Sequence, residues 1–452
     1  MPKTIELIHG DNRKVLPTFP DDHFDALITD PPGGISFLGC AWDGNHGGRD
    51  QWIDWLSKIM ELTIRTLKPG AFGLVWAFPR TVHWTMTALE DAGVQIIRVI
   101  VHNFGNGFPK TQNITRDIDK ALGTLGEPIH TGHRVPKSMF NGGEERLVYE
   151  PQSDEAKRYN DYHSDIKPTS EFWVLVKKPL SEGTLAANVL RWGTGGLNVG
   201  GCRTKIGDHE NNRIDKNVPK SRFFAEGRDS GTEDDRYHIT PSGRFPADAV
   251  FSHHPTCTDQ KCAPGCAVQE INQQGREQAA GNPGKSNPGR AYDGHSVGFG
   301  QFAGCGFRYG DIDSNVARFF YCPKAHSGEK YMYIKSEDRV VPFAEGAERL
   351  RKRYALLDKQ NTARDDIEEE VIFHPTPKSI ALMKWLIRLI TPPDGLILDP
   401  FAGTAATLRA AYLERFRAVG IEEYEPYYKI GLHAIAQEKE KPEAATTFLE
   451  MK

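Results

Sequence analysis

Two short segments at opposite ends of the chain hold residues whose types and spacing suit group-transfer chemistry. In DALITDPPGGISF, residues 25–37, Asp30 follows an apolar run and precedes Pro31 and Pro32. Each proline fixes its own φ and pushes the residue before it toward extended geometry. Asp30 and the neighbouring carbonyls are thereby held as aligned hydrogen-bond acceptors. In LILDPFAGTAATLRAA, residues 396–411, an apolar strand ends in Asp399, turns at Gly403 and opens a helix. An acidic strand end, a glycine that lets the backbone approach closely and a helix N-terminus together suit a nucleoside ligand. The next apolar run, residues 416–422, ends in Glu422, where a ribose-binding carboxylate sits in βαβ nucleotide sites. Taken singly, each segment is equally an ordinary strand-to-loop turn.

The elements that must position these residues follow from hydrophobic periodicity. Short apolar runs at 4–8, 26–29, 72–78, 94–102 and 171–176 predict strands, and 51–67 and 81–91 predict helices. Strands separated by helix-length segments point to βαβ units and a parallel sheet. From about 192 to 310 glycine, asparagine, aspartate and arginine dominate, and stretches such as GNPGKSNPGR are rich in turn formers. The α/β texture returns after about 366. Leu382, Trp385, Leu386, Leu389 and Ile390 fall at helical spacing, Gly395 ends that helix, and strand, helix, strand and helix follow at 396–399, 404–415, 416–422 and from 425. One α/β domain built from both ends of the chain, with a polar insert between, is the expected organisation.

Composition narrows the function classes. The chain has 452 residues, 38% hydrophobic and 26% charged, enough for two or three domains of roughly 100–200 residues each. A net charge of −4 excludes a wholly basic nucleic-acid coat but leaves room for a local basic groove. No charged-then-apolar leader is visible, and the most apolar windows are too short to span a bilayer. Seven cysteines, an odd number, fit a reducing compartment better than a disulfide framework. A soluble, cytoplasmic protein making no membrane contact is expected.

In combination the two segments carry far more weight. The chain resembles the DNA amino-methyltransferases, whose signature is a (D/N/S)-P-P-(Y/F/W) loop and an F-x-G-x-G turn. Here the order is DPP loop, long polar insert, HPTPKS at 374–379, then DPFAGTA. That permuted order is similar to the β group of the family, and NGFPKTQNITRDIDKALG, EFWVLVKKPL and NVLRWGTGGLNV resemble a subfamily of phages and actinobacteria. The resemblance implies a Rossmann-like, circularly permuted methyltransferase fold dependent on S-adenosylmethionine (SAM). It implies a catalytic half at 1–190, an inserted target-recognition region at 191–330 and a cofactor-binding half at 331–452. It further implies double-stranded DNA as partner and methylation of an exocyclic amino group, adenine N6 in preference to cytosine N4 because the loop opens with Asp. A restriction-modification setting and a monomer or dimer are all compatible with it. By resemblance, the Asp30 carboxylate and the Pro31 carbonyl grip the amino group. Asp11, Lys378, Asp399, Phe401, Gly403, Thr404 and Glu422 form the cofactor site.

The chain departs from the pattern twice. Gly33 stands where the family has an aromatic that stacks on the flipped base, with Phe37 and Trp42 as replacements by position. Ala405 stands where the turn has its second glycine, and its methyl leaves two alternatives, crowding of the ligand or a slightly different turn. These leave open a catalytically weakened or inactive relative that binds DNA or SAM. Separately, His253, His254, Cys257, Cys262 and Cys266 cluster in a loop of the insert. The spacing favours a structural zinc held by Cys257, Cys262, Cys266 and one of His253 or His254, over the alternative of free thiols beside a surface histidine pair. Arg, Lys and Asn at 203–228 and 276–290, interleaved with Phe223 and Phe224, suit phosphate and base-edge contacts.

Overall fold

The computed structural model describes residues 4–36, 41–104, 112–127, 129–134, 145–166, 168–203, 246–252, 266, 268–269, 320–321, 329–350 and 371–441. Its strands are β1 (Ile5–His9), β2 (Phe24–Thr29), β3 (Leu67–Ala77), β4 (Gln95–Phe104), β5 (Ile129–Arg134), β6 (Glu145–Val148), β7 (Ser170–Lys177), β8 (Ala249–Ser252), β9 (Phe320–Tyr321), β10 (Tyr331–Ile334), β11 (Arg339–Pro342), β12 (Val371–Phe373), β13 (Leu396–Asp399) and β14 (Arg417–Glu422). Its helices are α1 (Asn12–Val15), α2 (Arg49–Thr66), α3 (Val82–Asp91), α4 (Ile114–Leu122), α5 (Asp154–Arg158), α6 (Leu185–Trp192), α7 (Ile380–Ile390), α8 (Ala406–Leu413) and α9 (Glu425–Glu440). The strands and helices expected in the first third and after 366 are all present, with ends shifted by a few residues.

The main sheet has the order β1-β14-β13-β2-β3-β7-β4-β8-β9. All neighbours run parallel except β7, which is antiparallel to both β3 and β4. The strands are apolar on both faces, as a sheet covered by helices on either side requires. Ala26, Ile28, Leu74 and Ile397 pack with α7 and α8. The alternate residues Leu27, Val75 and Leu398 pack with Trp52, Leu56 and Met60 of α2 and Leu89 of α3. This is a doubly wound α/β fold. β1 completes the C-terminal half by pairing with β14, so the two ends of the chain do share one domain.

The chain winds in opposite directions from β13 and from β2. These adjacent strands therefore mark the switch point, where ligands bind at the carboxyl ends of the strands. Asp399 closes one and Asp30 follows the other. The expected boundaries of the insert are cut by the sheet: β8 and β9, within 191–330, extend it beyond β4. A separate antiparallel sheet, β11-β10-β12, packs on α9 through Tyr333, Tyr427 and Ile430. Among the described residues, no helix is long and apolar enough to cross a membrane.

Candidate active site

The switch point is tied together by a side chain from each strand. Thr29 Oγ1 donates to Asp399 Oδ1 at 2.8 Å, and the Phe401 N–H donates to the same oxygen at 3.1 Å. Asp399 is 2% exposed. Burial pushes its carboxyl up to about 6, against hydrogen bonds from Thr407 and Thr29. Asp30, Lys378, Asp399, Phe401, Gly403 and Thr404 line one cleft, together with His374, Thr376 and Pro377. Six of the residues expected from sequence thus meet in one place, drawn from three segments of the chain.

Within the cleft, Lys378 Nζ lies 2.7 Å from Asp30 Oδ2 and 4.1 Å above the centre of the Trp76 ring. Burial raises the Asp30 carboxyl, and the Lys378 ammonium opposes that rise. His374 is pushed down to about 3 by burial and by Lys378, so its ring is neutral there. The loop after Asp30 is clamped from two sides. Asp43 Oδ1 accepts the Gly34 N–H at 3.1 Å, and its carbonyl accepts the Ser36 N–H at 2.7 Å. Thr81 Oγ1 donates to the Gly33 carbonyl at 2.7 Å.

Glu422 ends β14 beside this cleft. Its two oxygens accept the backbone N–H groups of Gly403 and Tyr424, both at 2.8 Å. Burial pushes its carboxyl up to about 7. Gly403 has φ +53°, and a Cβ there would lie 3.5 Å from His374 Nε2. Asp11 is placed differently. It caps α1 and its carboxylate is held by the Arg13 guanidinium at 2.9 Å, which lowers it. It is not among the residues lining the cleft.

The two departures from the family pattern acquire physical reasons. Gly33 is buried, and a Cβ on it would already touch Trp76 and Phe78 at 3.5 Å. The Trp76 ring, the Phe78 Cβ and the Asp43 carboxylate therefore border the space next to Gly33. Trp42 is 38% exposed and its ring lies 5.9 Å from that of His374, at the edge of the cleft. Phe37 lies outside the described residues. Ala405 does adopt the left-handed conformation, φ 64°, that favours glycine. Its side chain, however, is fully buried in the core shared by α7 and α8 rather than lining the cleft. Gly431 on α9 makes the room: a Cβ there would meet the Ala405 methyl at 3.2 Å. The Ala405 methyl thus points into the core and not into the cleft. Ala405→Gly should change ligand affinity in the cleft by less than about twofold in calorimetry, because no contact worth a tenfold step of about 1.4 kcal/mol is touched.

Sequence reading missed Trp76, Glu171 and His102. Glu171 is the second residue of β7, and because β7 runs antiparallel its first residues lie at the same sheet edge as Asp30. Only the strand direction reveals that, although an acidic residue at the head of the apolar run EFWVLV was a signal. Of the expected zinc ligands, His254, Cys257 and Cys262 lie outside the described residues, and Cys266 is buried. Among the described residues, no group of three or more His, Cys, Asp or Glu is arranged to hold a metal. Phe223, Phe224 and the basic stretches 204–228 and 276–290 also lie outside them.

Known proteins supply an independent comparison. Type II methyltransferase M.HindIII of Haemophilus influenzae is 37% identical over 71 residues, 16% of this chain and 23% of that protein. The DNA adenine methyltransferase YhdJ of Escherichia coli is 39% identical over 62 residues, 14% of this chain and 21% of its own length. The match thus spans under a quarter of either curated relative. Among solved structures, the cytosine-N4-specific PvuII DNA methyltransferase aligns with 99% of this chain and 92% of its own, at 10% identity and a TM-score of 0.39. The DNA methylase model for N6 and N4 methyltransferases matches residues 24–433, from β2 into α9. The chain belongs to the DNA methylase family.

Proposed function

We infer that the protein transfers a methyl group from SAM to the exocyclic amino group of a base flipped out of double-stranded DNA. The observation that carries this reading is the shared cleft: Asp30 and the DPFAGT turn meet at the switch point of the sheet. The residues present fit SAM. Gly403 opens a cradle that a Cβ would fill, Glu422 has lone pairs left for ribose hydroxyls, and Asp30 and Asp399 suit a cationic ligand. Asp399, Phe401, Gly403, Thr404 and Glu422 would hold the cofactor, and Asp11 would shape the far wall. When bound, SAM supplies an electrophilic methyl on a sulfonium.

An exocyclic nitrogen is a poor nucleophile because its lone pair is delocalised into the ring. Acceptors at its two N–H groups, the Asp30 carboxylate and the Pro31 carbonyl, favour a pyramidal nitrogen whose lone pair is free to attack. The Asp43 and Thr81 clamps keep those acceptors fixed, so catalysis is chiefly positioning and electrostatics. The N–C bond would form as the S–C bond breaks, the sulfur keeping the electron pair as a neutral thioether, and one amino proton would then pass to water. Flipping the base costs a few kcal/mol, part of which stacking must return. Trp42 is the described aromatic best placed for that. Trp42→Ala should raise the KM for DNA about tenfold, consistent with about 1–3 kcal/mol per stacked base, with SAM affinity unchanged.

Adenine N6 is the preferred target, supported by Asp at the head of the loop, with cytosine N4 as the other base. Residues 191–330 contribute target recognition, outside the strands that enter the sheet. A structural zinc in that region rests on the Cys and His spacing alone, and elemental analysis of the purified protein reads it directly. The reaction is tested by mass spectrometry of nucleosides from the DNA of cells expressing the protein. N6-methyladenine or N4-methylcytosine above the level in control cells supports it; neither, in cells making folded protein, overturns it.

A further inference from the structure

A second carboxylate stands behind Asp30. Glu171 Oε2 accepts the Trp76 Nε1–H at 3.3 Å and lies 3.7 Å from His102 Nδ1. His102 Nε2 is in turn 2.6 Å from Ser252 Oγ. One indole therefore carries Lys378 on its face and Glu171 at its N–H edge, while Lys378 pairs with Asp30. Burial disfavours the Glu171 charge, yet Lys378, His102 and Trp76 hold its carboxyl down at about 2. Asp43, beside Gly33, and Asp399, on β13, face Asp30 from other sides.

The charge count gives this arrangement a purpose. Positive charge moves from the sulfonium to the amino nitrogen as the methyl transfers, so negative charge placed nearer the nitrogen than the sulfur favours the transition state. Asp30 paired with Lys378 alone would be neutral, with an ammonium close to the reacting atoms. Glu171 offsets the Lys378 ammonium, so that the carboxylates around Asp30 are not opposed by an uncompensated positive charge. Asp30, Lys378 and Glu171 together sum to one negative charge, and the indole face stabilises the ammonium where it stands.

We propose that Glu171 is a positioning residue that neutralises Lys378 over Trp76, leaving Asp30 to present one net negative charge to the amino nitrogen and the sulfonium. This rests on the methyl-transfer reading above. It has a readout that needs no DNA: SAM is a sulfonium cation, S-adenosylhomocysteine (SAH) a neutral thioether, and the ratio of their Kd values reports the charge at the site. Any contact the two ligands share cancels in that ratio.

The test is calorimetry with SAM and SAH on the full chain, alongside single-turnover methyl transfer to DNA at saturating SAM. Glu171→Gln should lower the SAH-to-SAM Kd ratio at least about threefold and slow transfer about tenfold or more, as expected for one uncompensated charge. Lys378→Met should shift the ratio the opposite way. The double variant, Glu171→Gln with Lys378→Met, restores the single negative charge and should recover the wild-type ratio to within about twofold. A residue with a purely structural role would leave the double variant no better than Glu171→Gln, and that result overturns the proposal. So does a Glu171→Gln ratio equal to wild type. If that variant does not fold, the direction of the Lys378→Met shift decides. Wild-type protein that binds SAM but methylates no DNA would refute the methyl-transfer reading, while the Kd ratios still decide the role of Glu171.

Discussion

Asp30→Ala should reduce methyl transfer by about 10²–10³-fold, the usual cost of removing one aligned group that meets developing charge. SAM affinity should change far less. Asp30 lines the cleft but makes none of the contacts that build the cofactor turn, which rests on Asp399, Gly403 and Glu422. The variant also frees Lys378 from its 2.7 Å partner. The site then presents an ammonium where an acceptor is needed, so the loss should exceed that of Asp30→Asn, which keeps one acceptor oxygen. Equal rates for the two variants would show that the lost charge, and not the acceptor oxygen that asparagine keeps, sets the rate. Single-turnover transfer with SAM in excess, paired with calorimetric SAM binding, separates these effects.

SAM binding should strengthen as pH rises from about 6 to 8, because Glu422 must be ionised to accept two ribose hydroxyls well. In the free protein, burial holds its carboxyl up at about 7, above the ordinary value of 4.5. The folded state therefore keeps a proton that the unfolded chain has lost between about pH 4.5 and 7. Stability falls as pH rises across that window, and Asp399, up at about 6 from 3.8, adds to the fall at its lower end. Bound hydroxyls draw Glu422 back to the carboxylate, releasing a proton. The rise in Tm on adding SAM should accordingly grow between pH 6 and 8. Glu422→Gln should flatten that dependence and weaken SAM at least about tenfold, since hydrogen bonds to a charged acceptor are worth about 1.5–3 kcal/mol. A SAM affinity that is flat with pH in the wild-type protein would remove Glu422 from the ribose site.

The parts of this site that were legible in the sequence are those fixed by local chemistry. Strand-ending Asp399, the Gly403 turn and the Pro31-Pro32 pair each constrain the backbone within a few residues, and order along the chain joined them. The reversal of β7 was not legible, because EFWVLV alternates identically in either direction. Glu171 and Trp76 thus stayed out of view, though they flank Lys378. The direction of the Ala405 side chain was hidden for a related reason. Its backbone is as strained as the sequence implied, but the direction of its methyl depends on Gly431, 26 residues further along on α9. The short strands β10, β11 and β12 have only three or four residues each, too few for periodicity to declare itself.

The central claim is that Asp30 and the DPFAGT turn form one methyl-transfer site acting on DNA amino groups. The most direct measurement is incubation of purified protein with methyl-labelled SAM and double-stranded DNA of varied sequence, followed by nucleoside analysis. Label recovered in N6-methyladenine or N4-methylcytosine, and lost with Asp30→Ala in protein that still binds SAM, is the predicted result. Label in DNA that survives Asp30→Ala undiminished, or no label with any DNA from protein that binds SAM, would contradict the account.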